Sequence, residues 1–114
     1  MRQTLCFTLP LLPGAIGVDR DAMLACWHGD RAAQHRESRV RHGITREATW
    51  IQQTPAGDVV IVLLESDDLA ASLSGIATST EPFDNWFRAH VKAVHGVDLA
   101  AGMRPPEQIL DFFA

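Results

Sequence analysis

Residues Thr4 to Leu9 alternate, with Leu5, Phe7 and Leu9 on one side and Thr4, Cys6 and Thr8 on the other, until Pro10 removes a backbone donor. The spacing predicts a first strand. Pro10 to Gly17 carries two prolines and two glycines and reads as a loop, after which Asp19 and Asp21 place carboxylates at the positive end of a helix. That helix is expected from Asp19 to about Arg41, interrupted at Gly29 and Asp30 and closed by Gly43. Its apolar positions, Leu24, Cys26 and Trp27, come early. The second half offers Ala32 and Ala33 beside His35, Ser38 and Val40, so polar side chains must line part of its inner face.

Ile44 to Thr54 is rich in β-branched and aromatic residues, and Pro55-Ala56-Gly57-Asp58 turns it back into Val59 to Leu64. This is a hairpin. In the second arm Val59, Ile61 and Leu63 point one way and Val60, Val62 and Leu64 the other. A strand apolar on both faces is expected to be central and covered twice. In the first arm Ile44, Arg46, Ala48, Trp50 and Gln52 share one face, and Thr45, Glu47, Thr49, Ile51 and Gln53 the other, a mixed pattern suited to a wet cavity.

Ser66 to Ser74 reads as a short helix capped by Ser66 or Asp67, and Glu81-Pro82 opens the next one. There Phe83, Trp86, Phe87, His90, Val91 and Val94 form an amphipathic stripe that Gly96 ends. The tail, Gln108 to Phe113, alternates Ile109 and Phe113 with Leu110 and Phe112 around Asp111, and is expected to be a fourth strand. The order strand, helix, strand, strand, broken helix, strand predicts a single α+β domain over residues 1–114. Its expected form is a ferredoxin-like βαββαβ antiparallel sheet with helices on one face. The other face then needs a cover, and a homodimer through that open face is the expected one.

Composition sharpens this in one direction. Ten basic against 14 acidic residues leave a formal charge of -4, which opposes attraction to phosphate backbones and anionic lipid. Nucleic acid and membrane surfaces are not expected partners. Five of the nine arginines lie between Arg31 and Arg46, where they form a solvated helix face or steer a local anion. Cys6 and Cys26 belong to no zinc-binding spacing and read as buried, reduced thiols. No stretch approaches the roughly 20 apolar residues of a membrane span. The N-terminus is too short and polar for a signal peptide, and a cytoplasmic location follows by default.

The element order and the doubly apolar hairpin strand resemble the dimeric α/β-barrel superfamily, in which two ferredoxin-like subunits pack their bare sheet faces together. More narrowly, Gly43-Ile44-Thr45-Arg46-Glu47, Trp50-Ile51-Gln52-Gln53-Thr54-Pro55, Pro82-Phe83-Asp84-Asn85-Trp86-Phe87 and His95-Gly96-Val97-Asp98-Leu99 resemble a small bacterial family of unknown function. The wider superfamily includes cofactor-free monooxygenases, cyclases, mutarotases and haem-degrading enzymes. The resemblance therefore implies a pocket between sheet and helices rather than a reaction. The haem-degrading branch uses Asn, Trp and His, but Asn85, Trp86 and His90 all lie on one helix and do not match its pattern.

Several residues can carry chemistry. His28, His35 and His42 recur every seven residues, which on a helix separates neighbours by roughly 10 Å and does not suit a shared metal. His35, on the polar half of its helix, can reach a pocket and act as acid or base. Glu47 in an apolar site would have a raised pKa useful for proton transfer, and Arg46, if it faced inward, would hold an anionic substrate. Trp27, Trp50 and Trp86 can wall a cavity for a flat ligand, with His90 on the same stripe as Trp86. His95 and Asp98 can form a hydrogen-bonded pair or simply end a helix.

No phosphate loop, nucleophile elbow, zinc cluster or dinucleotide fingerprint appears. The expected function is a small-molecule enzyme without a tightly bound cofactor, doing acid/base chemistry in cyclisation, isomerisation or oxygenation of a flat substrate. Its site is His35 and Glu47 for catalysis, with Arg46, Trp50, Trp86 and His90 for binding. A non-catalytic binding protein and a haem-binding protein are the alternatives.

Overall fold

The computed structural model describes all 114 residues. The first strand, β1, spans Gln3–Pro10, and two helices follow, α1 at Ile16–His28 and α2 at Ala32–Arg41. The hairpin is β2, Ile44–Thr54, and β3, Gly57–Ser66; then come α3, Leu69–Thr78, and α4, Pro82–His95. A single 3-10 turn at Leu99–Ala101 is the last regular structure.

The sheet has three antiparallel strands in the order β1-β3-β2, so the doubly apolar strand is central. Val60, Val62 and Leu64 turn toward the helices. Val60 packs with Leu11 and Val94, while Leu64 packs with Ile44 and Ile76, Val62 touching both clusters. The opposite face carries Val59, Ile61 and Leu63 of β3, with Cys6 of β1 and Ala48 and Trp50 of β2 beside them. No helix of the chain covers that face, and its β3 side chains remain half-buried.

The expected fourth strand is not formed, and the ferredoxin-like fold is corrected accordingly. After Gly102, at φ +84°, Gln108 to Phe113 pairs with no strand. Pro105 and Pro106 remove two backbone donors just where an added strand would have to begin its ladder. With three strands the sheet stays open, so the expected dimeric α/β barrel, and with it the resemblance to that superfamily, is not supported. The fold is a mixed α+β domain with one three-stranded sheet and four helices.

Local signals place most of the helices. α3 starts at Leu69 rather than Ser66, because Asp68 is its cap, accepting from the Ala71 amide. α4 begins at Pro82 and ends at Gly96, whose φ of +70° is the left-handed turn that glycine permits. α1 begins at Ile16, ahead of Asp19, which is buried within its first turn instead of capping it. No helix is long and apolar enough to cross a membrane.

Candidate functional site

The site is built around an irregularity in β2. A bulge between Ile44 and Arg46 gives that strand an extra residue, so Ile44 and Glu47 both turn toward the helices, although alternation puts them on opposite faces. Glu47 stands opposite Leu64 and Arg46 opposite Glu65. Arg46 thus lies on the uncovered face, 3.7 Å from Glu65, and is not in the helix-side cavity.

Above Glu47 runs α2, whose hydrogen bonds explain how so polar a helix stays docked. Arg39, almost fully buried, donates from Nε to Glu47 Oε1 at 2.9 Å and from Nη2 to Oε2 at 3.3 Å. Its guanidinium lies 4.4 Å over the ring of Phe87. One turn earlier on α2, His35 Nε2 is 2.5 Å from Glu47 Oε1. Beside and beyond Arg39, the wholly buried Asp84 accepts from Ser38 Oγ at 2.5 Å, Arg41 Nη1 at 3.2 Å and His42 Nε2 at 2.8 Å. The inner face of α2 is polar, as its composition requires, and each inward group finds an ionic partner on β2 or α4.

This geometry reverses the expected electrostatics of Glu47. Burial pushes its carboxyl up, but the hydrogen bond from His35 and the charge and hydrogen bonds of Arg39 outweigh it and hold the pKa down at about 2. Glu47 is therefore an anion at any ordinary pH. It has no proton to give and little affinity for one. Because an ionised carboxylate only accepts, Nε2 of His35 carries the hydrogen, and in the neutral ring Nδ1 keeps the lone pair. No protein group bonds to that Nδ1.

His35 and Glu47 line a cleft of about 760 Å³ between α1, α2 and the edge of β2. Trp27 and Trp50 form aromatic walls, and Arg20 and Arg36 bring positive charge to it. Of the three tryptophans expected to wall a cavity, Trp27 and Trp50 line this cleft and Trp86 does not. The Trp86 ring stacks on His90 at 5.3 Å, and the Arg31 guanidinium sits 3.8 Å from its centroid. A smaller chamber of about 80 Å³ lies deeper, between sheet and α4, and shares Met23, Glu47, Thr49 and Phe87 with the cleft. There His90 Nε2 meets Asp19 Oδ1 at 2.8 Å, while Asp19 Oδ2 is buried without a partner.

The remaining histidines are separate. His28 stacks on Trp27, and His95 Nδ1 donates to the Pro10 carbonyl rather than pairing with Asp98, which caps the final 3-10 turn. No group of three His, Cys, Asp or Glu side chains is gathered for a metal. Arg39 and Asp84 are the members that sequence reasoning passed over. The only signal for them was the polar inner half of α2, which asks for ionic partners without naming them. Comparison with protein-family models, curated proteins and solved structures gave no match, so the site is read from its own geometry.

Proposed function

We propose that this protein is a small-molecule enzyme that moves a proton on a flat organic substrate without a tightly bound cofactor. The observation that supports the reading is the His35–Glu47 pair on the wall of the cleft. His35 Nδ1 takes a proton from an acidic C–H or O–H of the substrate, and the electron pair left behind stays on the substrate as an enolate or phenolate. Glu47, permanently ionised, stabilises the resulting imidazolium, and Arg20 and Arg36 face the developing anion. Returning the proton to a different atom completes an isomerisation or cyclisation. Trp27 and Trp50 hold the ring system. The reading includes a second copy seated on the open sheet face, supported by the half-buried Val59, Ile61 and Leu63 there.

The test is a panel of flat phenolic and 1,3-dicarbonyl compounds deuterated at the acidic carbon, with binding read by quenching of tryptophan fluorescence and proton transfer by loss of deuterium. His35→Gln should keep binding and slow deuterium loss by about 10²- to 10⁴-fold. Compounds that bind without losing deuterium, or a His35→Gln variant as fast as the wild type, would make this a non-catalytic binding protein.

A further inference from the structure

The C-terminal segment is the most exposed apolar part of the molecule. Ile109, Leu110, Phe112 and Phe113 are between 80% and 88% exposed, and every residue from Arg104 to Ala114 faces solvent. Four large apolar side chains exposed within five residues are a concentration of the kind that marks a binding segment. The same chain carries an uncovered apolar surface: Val59, Ile61 and Leu63, flanked by Trp50, on the side of the sheet away from the helices.

We propose that residues 104–114 are an exchange arm, which docks on the open sheet face of a second copy while that copy's arm docks in return. The proposal rests on the reading that two copies meet at this face. Charge argues for the same occupant. Asp111 sits among the four apolar residues and needs a cation once they are buried, while Arg2 and Arg46 share the single carboxylate of Glu65 at the rim of the face, at 3.6 Å and 3.7 Å. Area is consistent too. A phenylalanine buries about 150–250 Å², so two arms and the surfaces beneath them exceed the roughly 1,000 Å² of a specific interface. Arm and acceptor are on one chain, so a reciprocal two-fold exchange leaves neither patch open.

The test uses the full chain in sedimentation at micromolar concentration, with circular dichroism as the control for folding. Phe112 and Phe113 are 80% and 84% exposed, so the double variant Phe112→Asp/Phe113→Asp leaves the fold intact. It should raise the dimer dissociation constant by at least about a hundredfold. Arg46→Asp should weaken association as well, and Asp111→Arg in the same chain should restore it. A wild-type protein that is monomeric overturns both the arm and the sheet-face pairing. A Phe112→Asp/Phe113→Asp variant as dimeric as the wild type overturns the arm alone, as does Arg46→Asp association that Asp111→Arg fails to restore.

Discussion

Glu47 Oε1 accepts from His35 and from Arg39 at once, so a single buried carboxylate orients the candidate base and anchors the helix that carries it. This coupling has a pH signature. The carboxyl of Glu47 is lowered from 4.5 to about 2, and that of Asp84, buried against Ser38 and His42, from 3.8 to about 2. A carboxylate with a depressed pKa contributes stability that is complete above its unfolded value and is lost as pH falls through its folded one. The stability contribution of these two groups should therefore be flat above about pH 5 and fall between pH 4.5 and 2, by about 3 kcal/mol for Glu47 alone. Urea titrations of the wild type and Glu47→Gln across that window check it. The variant should have lost the Glu47 share of the acid-dependent component and kept that of Asp84.

Gly75 and His42 define a second test. A Cβ placed on Gly75 would lie 2.5 Å from His42 Nδ1, and His42 cannot swing away without abandoning Asp84. Gly75→Ala should destabilise the protein by about 1–3 kcal/mol, the range for overpacking. Adding His42→Ala should remove the clash, so that the double variant is less unstable than the two single changes sum to. Additive losses in chemical denaturation would show that the ring and the glycine are independent.

The Asp19–His90 pair bears on the deeper chamber. Asp19 already has one buried oxygen without a donor, so removing His90 leaves the whole carboxyl unpartnered. His90→Phe should cost about 3–5 kcal/mol, and Asp19→Leu/His90→Phe should cost less than His90→Phe alone, because both polar groups are then gone. Thermal or urea unfolding of the set decides it.

Cys26 lines the cleft but is buried, and loss of solvation raises its thiol pKa above the ordinary 9.0 against the pull of Arg39. In a Cys6→Ser background, Cys26 should react with a thiol reagent far more slowly at pH 8 in the folded protein than in denaturant. Equal rates would place it in water.

Much of the fold is legible locally. The alternation of β1, the hairpin turn at Pro55 and the stripe of α4 from Pro82 to Gly96 all appear where their side-chain periods and terminal residues put them. The tail shows the limit of that reasoning. Ile109 to Phe113 alternates well enough for a strand, but pairing needs a partner edge within reach, and the alternation of a segment contains no information about its neighbour. The candidate pair was half legible. His35 and Glu47 were singled out for their positions, but as independent acid/base groups, with Glu47 expected to be raised.

What the sequence by itself determined is the three strands and the helices up to Gly96, in their order, and the polar inner face of α2, because propensity, capping and turn chemistry act over a few residues. The tertiary structure alone decided the β2 bulge, the Arg39–Glu47 clamp, the sites of Arg46 and Trp86 and the ionisation of Glu47. Each of these depends on the distance between groups far apart in the chain, and burial and hydrogen bonding set a charge state only once that distance exists.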